Sequence, residues 1–338
     1  MSSTAPLPPN AALNQMLLSA TLVQAISVVA ELGIADALVN GPQTAPELAQ
    51  TVGVDPSALF RILRAVSSAG VFCARPDGRF EQTALSECLR SAVSSSMRAW
   101  ARLLGAEWHH RLIADMLHSV RTGTSVVERV YGLPLWEHFA QHPEQAALCN
   151  ESMTNFSSTE IAALLESYDF SSIETLVDVG GGLGSLLEAI LTAHAPMRGI
   201  LADLPAVIDS ARPEISRRGL ADRCQVVGMD FFTCVPAGGD AYLLKHVLHD
   251  WNDERSLQIL KNCHAVMPHG AILLVIEAVI APGPEPSLGK MLDLQMMLIG
   301  GKERSGEEFQ SLFQAAGFEL TRIVPTPSPV SVVEGRKR

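Results

Sequence analysis

The sequence predicts an α/β protein in which a doubly wound parallel sheet with an antiparallel C-terminal edge follows a smaller helical domain. Three observations support this prediction. Apolar residues recur at helical spacing from Ala11 to about Leu104, strands alternate with helices from Glu174 onward, and a Pro-rich turn joins the last two apolar runs. Alternation of strand and helix indicates parallel βαβ units, whereas two successive strands joined by a turn can pair antiparallel.

Residues 11–104 show the signals of several short helices followed by a hairpin. Thr44 begins one helix as its N-cap, with Glu47 three residues further on. A second helix begins at Asp55, and Asp77-Gly78 predicts a tight turn between two short strands. This pattern predicts an all-helical, winged-helix-like domain.

The charge of the chain distinguishes between two roles of such a domain, DNA binding and dimerisation. The formal net charge is -11, and the helix that would read DNA offers only Arg61 and Arg64. Nucleic-acid binding needs clustered Lys and Arg. The sequence therefore favours a dimerisation domain, and no nucleic-acid partner is expected.

The stretch Leu13–Leu38 is apolar enough to raise the question of a membrane. A spanning helix needs about 20 nearly uninterrupted apolar residues. The pattern instead favours an amphipathic helix in a homodimer interface, and burial within its own subunit is the alternative. No membrane partner is expected. The polar residues that interrupt the stretch are Asn14, Gln15, Ser19, Gln24, Ser27 and Glu31.

The N-terminus lacks the early positive charge of secretory and mitochondrial signals, because no Lys or Arg precedes Arg61. A cytoplasmic protein is therefore expected, with a disordered tip at Met1–Asn10. The six cysteines form no CxxC pair and have no zinc-finger spacing. We expect them to be reduced, and no metal site is predicted.

Two further stretches follow the N-terminal domain. Residues 105–173 are expected to form a helical linker that contributes to a substrate pocket, and residues 174–335 a parallel-sheet domain. The last two predicted strands are expected to pair antiparallel at the sheet edge. The predicted strands are Thr175–Val179, Gly199–Asp203, Gln225–Val227, Ala241–Leu244, Ala271–Glu277, Phe318–Val324 and Val330–Glu334.

A glycine loop, Asp178-Val-Gly-Gly-Gly-Leu-Gly184, follows the first strand. Gly180 and Gly182 let the backbone turn tightly and approach a ligand closely. The dinucleotide fingerprint Gly-x-Gly-x-x-Gly is not met, because Ser185 stands at its third glycine. The spacing Asp-x-Gly-x-Gly-x-Gly resembles the loop of S-adenosylmethionine-dependent methyltransferases, and a merely structural turn is the alternative.

Acidic and aromatic residues follow the next two strands. Asp203 ends the second strand, where a carboxylate can accept hydrogen bonds from ribose hydroxyls or cap the following helix. After the third strand, Asp230 could accept from an adenine amino group, and Phe231 could cover the ring face. Three matching strand ends favour a cofactor site.

The segment Leu243–Asp253 carries an apolar strand into Lys, two His, Asp and Trp. His249 is the candidate base, because an unperturbed histidine titrates at about 6.5. His246 directly follows the strand and is expected to be structural. Asp250 could cap the helix that begins near Asn252 or bind the substrate.

Together these residues resemble the dimeric small-molecule O-methyltransferases, which include plant caffeic acid enzymes, animal acetylserotonin methyltransferase and bacterial enzymes that tailor natural products. The resemblance covers about residues 14–334 and includes Asp203-Leu-Pro and Gly300-Gly-Lys-Glu-Arg-Ser. It implies a Rossmann-like methyltransferase sheet, a homodimer and S-adenosyl-L-methionine as cofactor. The implied cofactor positions are Gly180, Gly182, Asp203, Asp230, Phe231 and Lys245, and the implied catalytic positions are His249, Glu277 and Glu303.

The chemistry fits these residue types independently. A phenol, with a pKa near 10 by analogy with tyrosine, is a poor nucleophile until it is deprotonated. Neutral His249 can remove that proton, and a carboxylate on the far ring nitrogen would fix the tautomer. Either Glu303 or Glu277 can supply this carboxylate. The substrate candidates are Met153, Asp250 and Met297, although methionines at such spacings are often ordinary core.

The leading prediction is an S-adenosylmethionine-dependent O-methyltransferase that acts on a phenolic or enolic hydroxyl of a small aromatic or polyketide-type natural product. One alternative keeps the fold and cofactor but methylates nitrogen, or catalyses a hydroxylase-like or pericyclase-like reaction. A non-catalytic winged-helix regulator is the third. The set His249, Glu277 and Glu303 favours the first.

Overall fold

The computed structural model describes residues 7–338, which form two compact units. The expected linker 105–173 is divided between the two units and does not form a third one. The domain boundaries expected at residues 104 and 173 stay a prediction. The first unit consists of the residues up to Ala114 and of 136–158, and the second of 115–135 and 159–338.

The helices and strands alternate along the second half of the chain as expected. The helices are α1 Pro9–Glu31, α2 Ile34–Ala37, α3 Ala45–Val52, α4 Pro56–Ser68, α5 Ala84–Glu87, α6 Arg98–Gly105, α7 Glu107–Ala114, α8 Met116–Thr122, α9 Val126–Tyr131, α10 Leu135–Gln141, α11 Pro143–Ser167, α12 Ser185–Ala193, α13 Pro205–Arg217, α14 Asp253–Val266, α15 Leu288–Ile299 and α16 Gly306–Ala316. The strands are β1 Gln43–Thr44, β2 Phe72–Ala74, β3 Arg79–Gln82, β4 Thr175–Val179, β5 Arg198–Asp203, β6 Cys224–Gly228, β7 Ala241–Lys245, β8 Ile272–Glu277, β9 Val279–Ile280, β10 Arg304–Ser305, β11 Phe318–Pro325 and β12 Ser331–Lys337.

The first unit has the predicted helix starts and the predicted hairpin. The side chain of Thr44 accepts from the backbone N–H of Glu47, and Glu47 accepts in return from the Thr44 N–H, which completes a capping box at α3. Strands β2 and β3 pair antiparallel across the turn at Gly78. Strand β1 adds a third strand to this hairpin, so the unit is helical with a small sheet and not all-helical.

Helix α1 buries few of its side chains within its unit. Leu13, Met16, Leu17 and Leu18 are 57–70% exposed. By length and composition α1 could also cross a membrane, a test that core helices and signal sequences pass as well. Of the segment predicted to be disordered, Met1–Asn10, residues 1–6 lie outside the described part of the chain, and α1 already begins at Pro9.

The second unit is built on a seven-stranded sheet in the order β11-β12-β8-β7-β4-β5-β6. Strands β8, β7, β4, β5 and β6 are parallel to one another, whereas β12 pairs antiparallel with both β8 and β11. All seven strands of this sheet were predicted, including the antiparallel pair at the C-terminal edge. The small parallel pair of β9 and β10 was not predicted.

Two apolar cores lie on opposite faces of this sheet. Tyr242 and Leu244 of β7 belong to one core, and Ala241 and Leu243 belong to the other. Successive residues of a strand point to opposite faces, so a strand buried on both sides is apolar throughout. This burial fixes the strand ends, and it is the strand ends that carry the polar residues of the candidate site.

The order of the strands indicates where a ligand would bind. Strand β4 lies between β5, which follows it in the chain, and β7, which is connected to it more distantly. In open α/β sheets, ligands bind beyond the carboxyl ends of the strands at such a switch point. The glycine loop follows β4, and the segment with His249 follows β7.

Candidate active site

The glycine loop between β4 and α12 has the backbone that its sequence requires. Gly180, Gly182 and Gly184 have φ angles of +73°, +59° and +80°, which disfavour other residues. A Cβ at Gly180 would lie 2.9 Å from the side chain of Val247, whereas a Cβ at Gly182 would meet no atom within 4 Å. The side of Gly182 on which a Cβ would project is therefore open and can be approached by a ligand.

Asp203 connects the end of β5 with this loop. Its carboxylate accepts from the N–H of Gly182 at 2.8 Å and from the N–H of Leu204, at the start of α13, at 2.6 Å. Burial raises the pKa of Asp203, although both hydrogen bonds oppose that change. The N-cap of α13 is Leu204 and its start has no side-chain cap, so Asp203 does not cap this helix. The remaining acceptor positions on its two oxygens can serve a ribose. Asp178 is buried next to it, and burial together with the charge of Asp203 raises the pKa of Asp178 to about 7.

Asp230 and Phe231 follow β6. One oxygen of Asp230 accepts from the N–H of Phe232 at 2.8 Å, which fixes the turn. The Phe231 ring would lie 3.5 Å from a Cβ at Gly180, so the ring packs beside the glycine loop. The amide of Asn262 donates to the Phe231 carbonyl at 2.8 Å and holds this turn in place. The structure thus brings the predicted adenine-binding residues to the glycine loop.

Lys245, at the end of β7, pairs with a carboxylate that the sequence did not single out. Its Nζ lies 2.7 Å from Oε2 of Glu160, on α11, and both side chains are largely buried. The same carboxylate accepts from Nε2 of His246 at 3.0 Å. Burial by itself would raise the pKa of Glu160, but the His246 hydrogen bond and the Lys245 ammonium lower it to about 2. Only an isolated Glu before an apolar run marks this position in the sequence.

His249 lies in a 3-10 turn, Leu248–Asp250, and two glutamates contact it differently. Its Nδ1 is 3.0 Å from Oε1 of Glu303, which is 2% exposed. A carboxylate only accepts, so Nδ1 carries the proton and Nε2 is left as an acceptor. Glu277 accepts from the backbone N–H of His249 at 3.0 Å. The two alternatives for the ring partner are thus resolved in favour of Glu303, and Glu277 anchors the backbone.

The charges around His249 change its basicity. Burial by itself lowers the pKa of His249, but the Glu303 hydrogen bond and the neighbouring carboxylate charges outweigh it and raise that pKa to about 9. Asp250, whose carboxylate is 3.7 Å from Nε2, has a pKa raised by burial to about 6. Burial likewise raises the pKa of Glu277 to about 7. The turn therefore stabilises an imidazolium.

The segment 300–305 holds this turn from outside. The N–H of Lys302 donates to the His249 carbonyl at 2.7 Å. Arg304 is fully buried and donates to the carbonyls of Leu248 and Trp251, each at 3.0 Å. A Cβ at Gly301 would lie only 2.1 Å from the His249 carbonyl oxygen. The sequence motif had suggested Glu303, but not that its neighbours bind the backbone of the turn.

The three substrate candidates do not fall together in one unit. Asp250 lies beside the His249 ring, and Met297 lies on α15, which packs against the His249 turn. Met153 lies on α11 in the first unit and is 41% exposed. Their contact with a substrate stays a prediction. Within residues 7–338, no three His, Cys, Asp or Glu side chains are grouped so as to hold a metal ion, and the six cysteines are free.

The chain matches two family models that together cover most of its length. Residues 109–319 match the O-methyltransferase domain, and residues 14–92 match the O-methyltransferase dimerisation domain. The chain therefore belongs to this O-methyltransferase family, as the sequence motifs predicted. The match also confirms the expected homodimer through the N-terminal domain.

Individual relatives agree along nearly the whole chain. The phenazine O-methyltransferase PhzM of Lysobacter antibioticus is 42% identical over 97% of this chain and 96% of its own. The mitomycin biosynthesis 6-O-methyltransferase of Streptomyces lavendulae is 39% identical over 96% and 93%. The structure of NcsB1 from neocarzinostatin biosynthesis, with S-adenosylmethionine and 2-hydroxy-5-methyl naphthoic acid, has a TM-score of 0.79 and 34% identity over 94% of this chain and 96% of its own. The protein is an S-adenosylmethionine-dependent methyltransferase.

The residues present fit this cofactor. A Cβ at Gly182 would meet no atom within 4 Å, so there is space for a ligand beside the glycine loop. S-adenosylmethionine has no phosphate, so it needs no phosphate-binding site there. Asp203 and Asp230 offer carboxylate oxygens to hydroxyl and amino groups, and Phe231 offers a ring face beside the loop. These groups match the polar and aromatic parts of S-adenosylmethionine.

Proposed function

We propose that the protein transfers a methyl group to a phenolic or enolic hydroxyl of a small aromatic or polyketide-type natural product, with His249 as general base. The observation that carries this proposal is the Glu303-bound His249 ring, whose Nε2 is left as a proton acceptor. Relatives named for phenazine, mitomycin and naphthoate substrates support the substrate class. A cytoplasmic location is part of the proposal.

The basicity of His249 suits a phenol. At a pKa of about 9, the imidazole accepts a proton from a phenol of pKa near 10 at a cost of only about one pKa unit. An ordinary histidine has a pKa of about 6.5, more than about three pKa units below that of the phenol, so proton transfer to it would be much less favourable. Glu303 holds the ring proton on Nδ1, and the nearby Asp250 carboxylate stabilises the imidazolium that forms. The residues therefore turn a weak acid into a nucleophile.

The cofactor residues have separate roles in this proposal. When bound, S-adenosylmethionine supplies an electrophilic methyl group on a good leaving group. The loop at Gly180 and Gly182 binds its amino-acid end, Asp203 its ribose, and Asp230 with Phe231 its adenine. Lys245 lies on the cofactor side of the site. The chain thus binds and orients both reactants and removes one proton.

The proposal is tested with cofactor that carries a labelled methyl group and a panel of hydroxylated phenazines, naphthoic acids and quinones, with matching aryl amines. We expect label on the oxygen of at least one hydroxylated compound. His249→Ala should lower kcat by at least about 100-fold, whereas His269→Ala, at an exposed position, should not. Full turnover of a phenol by His249→Ala would contradict the mechanism. Transfer to the amines alone would favour N-methylation, the activity named for the 34% identical riboflavin-type relative.

A further inference from the structure

His246 has an unusual backbone conformation. Its φ angle is +55°, and it is the one non-glycine residue with a positive φ among residues 7–338. Such a conformation is strained for a residue other than glycine and persists only where its surroundings hold it. His246 lies between the end of β7 and the turn that carries His249. The strain is therefore located next to the proposed base.

A buried carboxylate holds His246 in this conformation. Nε2 of His246 is 3.0 Å from both oxygens of Glu160, which is 4% exposed. The carboxylate can only accept, so Nε2 carries the proton. Nζ of Lys245 lies 2.7 Å from the same carboxylate. Glu160 therefore binds two successive side chains at the end of β7, and Lys245 balances its charge.

The ring of His246 lies against the ring of His249. The two ring centroids are 5.0 Å apart and the planes are inclined by 27°. Burial and the charge of Lys245 lower the pKa of His246, although Glu160 opposes this, so a neutral ring faces the proposed base. Nδ1 of His246 is buried and has no hydrogen-bond partner within the described structure. The single hydrogen bond to Glu160 therefore orients this ring.

We propose that Glu160 is a positioning residue for His249, which it orients by holding His246 in a strained conformation with its ring against the His249 ring. This inference rests on the proposed role of His249 as base. Glu160 itself touches neither Nε2 nor Nδ1 of His249 within hydrogen-bond distance. It would act through His246 and through the charge that it shares with Lys245.

Charged groups face His249 from four sides. Asp250 lies in its own turn, Glu277 at the end of β8, and Glu303 in the segment before β10. The fourth side is the His246 ring with Glu160 and Lys245 behind it. Replacing Glu160 by Gln leaves the other three sides unchanged but removes one negative charge beside the ammonium of Lys245. The added positive potential disfavours protonation of His249.

The first test is the titration of His249 by NMR in the protein without cofactor. In Glu160→Gln we expect the pKa of His249 to be lower than in the wild type by about one unit, the size expected for one charge at this range. The rise of kcat/KM with pH should shift by the same amount. Glu166→Gln removes the same charge from an exposed position on α11 and should change neither.

The second test removes the ring but keeps the backbone. Asn tolerates a left-handed conformation, but its side chain is shorter than the reach of Nε2, so His246→Asn removes both the ring and its hydrogen bond to Glu160. We expect kcat to fall about tenfold, with the affinity for S-adenosylhomocysteine unchanged. His269→Asn, at an exposed position, is the matched control.

Two results would separate this inference from the proposed function. A folded Glu160→Gln or His246→Asn variant with wild-type kcat and a wild-type titration of His249 would overturn the positioning role. A shifted titration of His249 without any change in the pH dependence of methyl transfer would support the positioning role. It would also contradict His249 as the base.

Discussion

His249 owes its chemistry to two glutamates that contact different atoms. Glu303 binds the ring through Nδ1, so it fixes the tautomer and raises the basicity of Nε2. Glu277 binds the backbone N–H and so fixes the position of the turn. Their second oxygens are buried without a hydrogen-bond partner in the described structure. Two carboxylates of equal type in the sequence therefore have unequal roles.

The pH dependence of the wild type follows from the raised pKa of His249. In the proposed mechanism the neutral form of His249 accepts the proton, so kcat/KM should rise with pH and level off above about pH 9. Glu303→Gln removes the negative charge that raises this pKa and leaves an amide that can either accept from Nδ1 or donate to it. We expect the rise to begin at lower pH in the variant, by a unit or more, and kcat to fall about 100-fold because the tautomer is no longer fixed.

A matched control separates the contact from the loss of one negative charge. Glu307→Gln changes an exposed glutamate four residues further along the chain, and its pH profile should coincide with that of the wild type. If Glu303→Gln also keeps the wild-type profile, the basicity of His249 does not depend on the charge of Glu303.

At the scale of elements, the segment 300–305 and the His249 turn form one rigid pair. Three groups of the segment form hydrogen bonds with the turn: the Lys302 N–H, the Glu303 carboxylate and the Arg304 guanidinium. The parallel pairing of β10 with β9 anchors the segment next to the end of β8. A shift of this segment would move the ring and the backbone of His249 together.

Gly301→Ala tests this pairing. The added Cβ would lie 2.1 Å from the carbonyl oxygen of His249, a backbone atom that cannot rotate away as a side chain can. We expect a loss of about 1–3 kcal/mol in unfolding free energy and at least a tenfold loss of kcat. Urea unfolding and initial rates would measure the two effects.

Gly289→Ala is the control for this prediction. It lies in the same part of the chain, on α15, and its added Cβ would meet nothing closer than 3.8 Å. Its unfolding free energy should be equal to or higher than that of the wild type, because alanine favours a helix over glycine. Wild-type rates for Gly301→Ala would show that the close approach at His249 is not required.

At the scale of the whole molecule, the exposed apolar side chains of α1 agree with the homodimer. Four of them in its first half are more than half exposed, which a monomer would leave in water. Met16, Leu17 and Leu18 lie within residues 14–92, which match the dimerisation domain. That α1 itself forms the interface stays a prediction.

Leu17→Glu should weaken the dimer, because it places a charge among apolar side chains. Analytical ultracentrifugation should give a dimer dissociation constant at least about tenfold higher than that of the wild type. Gln15→Glu adds the same charge at a polar position of α1 and should have a smaller effect. An unchanged dissociation constant for Leu17→Glu would place the interface elsewhere.

The sequence predicted the sheet nearly residue by residue, because strands buried on both faces are apolar runs that end in polar residues. It also indicated the cofactor residues, because glycine spacing and strand-end carboxylates are local features. It missed Glu160, which precedes an ordinary apolar run, and it assigned His246 to structure alone. The strain at His246 and the buried partner of Lys245 depend on which helix packs beside β7.

The sequence by itself determined the fold class, the family and the positions of the polar residues, because periodicity and motif spacing are written along the chain. Only the tertiary structure decided which glutamate binds the ring of His249, and which buried carboxylate neutralises Lys245. Hydrogen bonds between Glu303 and His249 span 54 positions of the chain, and those between Glu160 and His246 span 86. Contacts at such separations are set by packing, and packing leaves no local pattern in the sequence.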